Sequence, residues 1–382
     1  PVKITFWHAM GGAHGKTLQT LIDRFNQSHP DIQVEGVFQG GYGPLETKLL
    51  SSIAAKNGPT LAQVYNDWTA VLVAAKALVP VANFIDSATQ DDFYPGFVAA
   101  NSWNGTLYTI PFNKSIYVMF YNVDRFKQLG LAVPTDMNGL RQALAKLSAQ
   151  QGKPQLVLSA NIDQFGVFLR NFGAHWLGDD GKAAFDSPQG IAAMSYVRDL
   201  IFKDKSAFIT NDYNNSVFDK GDASIFIDTS SNLQYVVADH PTFNWATAPL
   251  PHDSALQATI NGTDLAIMAQ ASPAQQKAAW TFVKWLTDAE QLTYWATDTG
   301  YLPERRSAAN SATYQAWLAE APEQRGAAVA ELEHAAFDPG VVHWSEARGV
   351  ITNAVQKVVI ENADPAKTLH DAAAQVNAAL GR

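Results

Sequence analysis

Aromatic rings, hydroxyls and amides gather at the ends of the expected strands and in the turns that follow them. Trp7 and His8 end the first strand, and Tyr42 sits in Gly40-Gly41-Tyr42-Gly43, where a core role would be odd. Asn66-Asp67-Trp68-Thr69 follows an apolar strand and offers two hydrogen-bonding side chains beside a flat ring for stacking. Thr229-Ser230-Ser231-Asn232 comes after the run Ala223 to Ile227 and supplies four small polar groups in a row. Gly300-Tyr301-Leu302-Pro303 sets a Tyr between Gly and Pro. Each has a bland alternative, such as an N-cap for Asp67 or Ser230, or simple burial for Tyr301. Together they are what a cleft needs to hold a polar molecule without reacting with it.

The chemistry of catalysis is sparse by comparison. The sequence has no GxxxxGK(S/T) phosphate loop, no HExxH, no GxSxG and no GxGxxG. Gly11-Gly12-Ala13-His14-Gly15 matches no nucleotide fingerprint; it reads as a turn whose backbone N–H groups open a helix and either face an anion or serve structure alone. The nine histidines are scattered, and His8 and His14, six apart, share no helix face, which argues against a metal site. Without cysteine there is no disulfide, thiolate nucleophile or Cys-ligated metal. Asp91-Asp92 and Asp179-Asp180 read as solvated loops, although a glycosidase pair among 36 acids is open on sequence alone. We expect no enzyme activity and no cofactor.

These groups need elements to place them. Val2, Ile4 and Phe6 alternate with Lys3 and Thr5, as on one face of a strand. Leu18, Leu21, Ile22 and Phe25 follow at i, i+3, i+4 and i+7, as on a helix. A strand over Ile32 to Phe38, a helix carrying Leu45, Leu49, Leu50 and Ile53, and an apolar run Leu61 to Tyr65 continue the alternation. Such a pattern signals β-α-β units and an α/β fold with mostly parallel sheets. Leu107 to Phe112 and Tyr117 to Tyr121 are apolar runs with no helix between them, suited to carry the chain from one lobe to another. Ser187-Pro188 starts one helix, Ser272-Pro273-Ala274-Gln275 starts another with a capping box, and Leu369, Ala372, Ala373, Val376 and Leu380 stripe a last one.

The 382 residues exceed one ordinary core of about 100–200 residues, so two lobes are expected. With 47% hydrophobic and 16% charged residues the chain is globular, and a net charge of −9 without clustered Lys and Arg argues against nucleic acid. No apolar run reaches the roughly 18–20 residues that cross a bilayer. A start at Pro1 directly before a strand suits a mature, exported form, at most tethered to a membrane through a removed N-terminus.

Several spaced motifs carry a resemblance. Phe6-Trp7-His8-Ala9-Met10-Gly11-Gly12, Phe25-Asn26, His29-Pro30, Gln63-Val64-Tyr65, Pro111-Phe112-Asn113-Lys114-Ser115, Phe120-Tyr121-Asn122 and Thr299-Gly300-Tyr301-Leu302-Pro303 run from residue 2 toward the final helix. On these the chain resembles the extracellular solute-binding proteins of carbohydrate-type importers, most of all the glycerol-3-phosphate and glycerophosphodiester binders. The resemblance implies a two-lobed periplasmic-binding-protein fold. Residues 1–112 with 260–310 would form the N-terminal lobe and 113–259 with 311–382 the C-terminal one. Crossing hinge segments would join them and the lobes would close on the ligand. It implies a periplasmic or extracellular monomer that delivers its ligand to the membrane permease of an ABC importer.

Carried over residue by residue, the family's phosphate pocket falls on Tyr42, Ser115, Ser230, Gly300-Tyr301 and Arg348, with Thr229 beside them and Lys114 as a further cation. A buried anion needs O–H and N–H donors and a fixed cation, and the planar fork of Arg348 suits phosphate oxygens. Asn66 or Asp67 would take glycerol hydroxyls and Trp68 would wall the carbon chain. Ahead of Asn171-Phe172 stand Asp163, Phe165, Gly166 and Phe168 with no Trp before Trp176, a departure from the Trp cage with which relatives hold choline; this leaves open whether a choline head group is accepted, with Asp163 as the alternative partner for an amine or a sugar hydroxyl. Two other readings compete: a sugar or oligosaccharide binder of the same superfamily, with Trp68 and Asp67 holding the sugar and Arg348 structural, and a secreted hydrolase.

Overall fold

A computed structural model describes residues 1–381 as two compact units, each built from separate stretches of the chain. The first comprises Pro1–Lys114, Gly262–Glu320 and Gly340–Val342; the second comprises Ser115–Asn261, Ala321–Pro339 and the chain from His343 onward. The passage after the helix Ala312–Glu320 falls later than the sequence places it. That helix belongs to the first unit because Tyr314, 3% exposed, is buried there and Ser311, at the helix start, hydrogen bonds Thr293 (3.1 Å).

In the first unit the strands run in the order Ile32–Phe38, Val2–His8, Leu61–Val64, Asp264–Met268 and Leu78–Val79, with Ile110–Pro111 also paired to Asp264–Met268. The first three are mutually parallel, whereas Asp264–Met268 is antiparallel to its neighbours. Mostly parallel thus becomes mixed, for a physical reason. A strand reached through a helical crossover returns parallel, but Asp264–Met268 arrives directly from the second unit with no helix before it. Ile4 and Phe6 are buried as the alternation requires, and so are Leu18, Leu21, Ile22 and Phe25 of the helix Gly12–Ser28. The helix Pro273–Leu286 opens with the full Ser272/Gln275 capping box and lays Phe282 edge-on to Phe6 and Phe25.

Where the chain leaves this unit it is pinned. Lys114 is 1% exposed; its Nζ donates to the Asp264 carboxylate (2.9 Å) and the Gly262 carbonyl (3.1 Å). Its backbone N–H donates to Glu304 Oε1 (3.0 Å) and its carbonyl accepts from Leu302 (2.7 Å). Gly262, at φ 110°, comes so close that a Cβ there would stand 2.1 Å from the Asn113 carbonyl oxygen. Lys114 is therefore a buried structural ion-pair partner and not a further cation for a ligand.

The second unit orders its strands Ala207–Ile209, Leu156–Leu158, Ile225–Thr229, Ser115–Asn122, Ala258–Asn261 and Ala335–Ala336, with Trp245–Ala248 also along Ser115–Asn122. The first three are parallel, and the directly entering strand Ser115–Asn122 is again antiparallel to its partners. Helices Ile162–Asn171, Pro188–Phe202, Trp344–Val359 and Pro365–Leu380 cover it. The last buries Leu369, Ala372, Ala373 and Val376, and Ser187 caps the second by accepting from Gly190 N.

Two wholly buried acids give the fold a pH dependence. Burial pushes Glu304 up to about 7 and Glu331, which accepts from Leu250 N (2.7 Å), up to about 8, against an ordinary 4.5. The folded protein keeps protons that the unfolded chain releases, so this stabilisation is full below 4.5 and is lost as the pH rises through 7 to 8. Urea denaturation of Glu304→Gln and Glu331→Gln at about pH 5 and about pH 8 is expected to show a smaller loss on raising the pH than the parent shows. An unchanged loss in both variants would contradict the assignment.

Candidate ligand-binding site

In the first unit a relay of side chains orients the expected tyrosines. Gln63, fully buried, accepts from Ala9 N (2.8 Å) and donates to Asn113 Oδ1 (3.0 Å), which also accepts from Thr263. The Asn113 amide nitrogen is thereby aimed at Tyr42, whose hydroxyl accepts from it at 3.3 Å. The Tyr42 hydroxyl also hydrogen bonds Tyr301, and burial with these phenols raises its pKa well above the ordinary value. Tyr42 is the first residue of the helix Tyr42–Ala55 and stays half-buried. Tyr301 stacks flat on Trp295 (5.5 Å, 7°) and leans on His14 (5.0 Å), which leaves it 7% exposed. Gly300, at φ 78°, ends the helix Ala289–Thr299 in the left-handed conformation that turns the chain toward Tyr301.

Other expected residues of this unit lie elsewhere. His8 continues the Ile4/Phe6 face, sits 6% exposed between Phe6 and Phe38, and is pushed down to about 4 by burial, so it is a neutral core residue. Trp7, on the opposite face, is half-buried against the cluster that contains Leu45 and Leu49. Trp68 belongs to that same cluster and is 5% exposed. The helix Asn66–Ala74 begins directly after the strand, which rotates Trp68 inward and leaves no open wall for stacking. Its neighbour Tyr65 is half-buried and meets both Tyr42 and Trp68 edge-on at 5.1 Å. Asn66 donates to the Ala100 carbonyl (2.9 Å), and Asp67, 9% exposed, lies in the helix's first turn, where a carboxylate is favoured.

In the second unit Ser230 and Ser115 come together. Ser230 Oγ accepts from the N–H of Ile116 (3.3 Å), and Ser115 opens the same strand opposite Asn261. Thr229 Oγ1 and Ser231 Oγ share a hydrogen bond of 2.8 Å. Arg348, on the helix Trp344–Val359, does not stand alone. Its Nη2 donates to both oxygens of Asp163 (2.7 and 2.9 Å) and its Nη1 to Asp338 Oδ2 (2.5 Å). Asp338 Oδ1 in turn accepts from Arg170 Nη2 (2.6 Å) and from the Trp176 indole (3.1 Å), while Arg170 Nη1 reaches Thr259 (3.0 Å). Burial alone would raise Asp338, but Arg170 and Arg348 outweigh it and hold the carboxyl below the ordinary range. Asp228, half-buried at the end of Ile225–Thr229, is raised to about 6 by burial with a contribution from the charge of Asp163. Tyr117, paired across from Thr229, feels Asp163, Asp228 and Arg348. Phe165, Phe168 and Trp176 are all core residues.

Asn113 in the first unit, and Arg170, Asp228 and Asp338 in the second, bond to or neighbour the expected residues of their own unit without having been singled out as ligand groups in the sequence. Asn113 was visible inside a family motif; Arg170 and Asp338 find each other 168 positions apart, with no local signal.

Among the described residues no helix is long and apolar enough to cross a membrane. The family model of bacterial extracellular solute-binding proteins matches residues 20–322. The sn-glycerol-3-phosphate-binding periplasmic protein UgpB of Pectobacterium atrosepticum is 30% identical over 78% of this chain and 72% of its own length. That of Yersinia pseudotuberculosis is 31% identical over 79% and 74%. Among solved structures, UgpB of Mycobacterium tuberculosis in complex with glycerophosphocholine superposes with a TM-score of 0.90 over 100% of this chain and 99% of its own, at 22% identity. The cyclic alpha-maltosyl-1,6-maltose binding protein of Arthrobacter globiformis gives 0.87 over 100% and 99% at 24% identity; both likenesses concern the fold. A pair of mixed α/β units that present oriented hydroxyls and a braced guanidinium matches these relatives in sequence and in fold, and the chain belongs to the bacterial extracellular solute-binding proteins as the substrate-binding component of an ABC importer.

Proposed function

We propose that the chain captures a phosphorylated glycerol derivative, sn-glycerol-3-phosphate or a glycerophosphodiester, and hands it unchanged to a membrane permease. The carrying observation is Arg348, whose guanidinium is fixed from two sides by Asp163 and Asp338 yet is still 29% exposed. A cation held in place presents its fork to a phosphate without first having to be ordered. The Asp163 side chain is itself 28% exposed, so its pairing with Arg348 is loosely buried and can yield to a ligand oxygen at modest cost. Beside Arg348 in the second unit, Ser115, Ser230 and Thr229 would supply neutral donors to phosphate and hydroxyls; in the first unit Tyr42, Gly300 and Tyr301 offer donors of the same kind. The curated relatives named for sn-glycerol-3-phosphate support this choice of ligand. We place the protein, as a monomer, in the periplasm or at the outer cell face.

One observation favours the sugar-binding alternative: the two carboxylates on Arg348 neutralise it within its own chain. Against it, Trp68, the ring expected to stack on a sugar, is in the core.

In a thermal-shift screen, sn-glycerol-3-phosphate or a glycerophosphodiester at 100 times its Kd should add about 2.7 kcal/mol to the folded state, whereas maltose and trehalose should add nothing. A shift with the sugars alone would overturn the proposal. By titration calorimetry Arg348→Ala should weaken phosphate-ligand binding by roughly 10–100-fold, the loss of charge-assisted hydrogen bonds. Recovery of the ligand chemically intact after prolonged incubation is expected, and any turnover would favour the hydrolase reading.

A further inference from the structure

The three parallel strands of the second unit, Leu156–Leu158, Ala207–Ile209 and Ile225–Thr229, point their carboxyl ends the same way. Ligands of open α/β sheets bind outside such ends. Ser159 follows the first strand, Asn214 opens the short helix beyond the second, and Asp228 is the penultimate residue of the third. Asn214 joins them: its Nδ2 donates to Ser159 Oγ (3.0 Å) and to Asp228 Oδ2 (3.4 Å). Those partners settle which way the amide faces, since the opposite orientation would press Oδ1 against a carboxylate oxygen, acceptor on acceptor.

The amide oxygen is then the atom left over. Asn214 is 4% exposed, and its Oδ1 is buried with no hydrogen-bond partner. Asp228 has the same shortage of a different kind. It accepts from the backbone N–H of Thr229 (2.7 Å) and from the amides of Asn214 and Asn232, all neutral donors. Among the described residues no Lys, Arg or His pairs with Asp228, and the charge it feels nearby, Asp163, is of like sign. A carboxylate and an amide oxygen side by side, short of donors, call for a group that brings N–H or O–H hydrogens.

We propose that Asp228 and Asn214 form a specificity subsite for the ligand's head group, selecting glycerophosphodiesters that end in a primary ammonium or a hydroxyl over those that end in a quaternary ammonium. The inference rests on the phosphorylated-glycerol reading above. A primary ammonium donates three N–H groups, whereas a trimethylated one has none and depends on aromatic faces. Phe165, Phe168 and Trp176 cannot serve as such faces, at 2%, 0% and 4% exposure. Tyr213, 82% exposed and adjacent to Asn214, is the ring that a quaternary head group would use instead.

The test is titration calorimetry with glycerophosphoethanolamine, glycerophosphocholine and sn-glycerol-3-phosphate. The parent protein is expected to bind the ethanolamine ester at least about ten-fold more tightly than the choline ester, the size of one charge-assisted hydrogen bond. Asp228→Asn, nearly isosteric, should erase that ratio by weakening the ethanolamine ester far more than the choline ester. The ratio in the parent stands even if the variant fails to fold. Equal affinities, or a choline preference that Tyr213→Ala removes, would overturn the subsite while leaving the phosphorylated-glycerol reading intact. Binding of none of the three would overturn that reading and the subsite with it.

Discussion

Asp338 stands between two guanidiniums, and the chemistry of the second unit is arranged around it. One oxygen holds Arg170, which is 4% exposed, and the other holds Arg348, which faces outward on the helix Trp344–Val359. Asp163 closes the array by taking Arg348 from the other side, so two cations and two anions alternate with no net charge. Such an array is expensive to break at its buried end, because removing one member strands its partner's charge in a poorly solvated place. At the exposed end the cost is small. The consequence is a cation that cannot swing away but whose outer partner can be exchanged, which is what reversible capture of an anion requires. The array itself carries no net charge, so a ligand that brings donors as well as a phosphate meets a better-matched surface.

In the first unit the orienting groups are neutral. Gln63 sets Asn113, Asn113 sets Tyr42, and Tyr42 meets Tyr301, which lies flat on Trp295. Each link is buried or half-buried, so the phenols are oriented before any ligand arrives. Asn113 is followed directly by Lys114, whose ammonium and both backbone groups are tied to Asp264, Gly262, Glu304 and Leu302. The residue that aims the tyrosine and the residue that anchors the departing chain are thus consecutive, and a disturbance of one is carried to the other.

Much of this fold was legible because it is written in local patterns. Alternation placed Ile4 and Phe6, helical spacing placed Leu18 through Phe25, and Ser187 and Ser272 announced their helices through side chains that reach only three residues ahead. His8 was equally legible in principle, since the same alternation that buries Phe6 buries it as well. Trp68 was misplaced by something finer, the residue at which a helix begins, since starting at Asn66 turns the ring inward. Strand direction was not legible, because it depends on whether the chain arrives through a helix or straight from the other unit. Least legible of all were Asp338 and Asp228. An acid reads the same in sequence whether it faces water or a guanidinium brought from 168 positions away, and only folding supplies the difference.

The most direct test of the central claim is a crystal structure of the protein with glycerophosphoethanolamine bound. Phosphoryl oxygens are expected within about 3 Å of the Arg348 guanidinium, with Asp338 still gripping both arginines and Asp163 turned from Arg348 toward the ligand. A phosphate lodged away from Arg348, with the Asp163–Arg348–Asp338 array undisturbed, would contradict the claim.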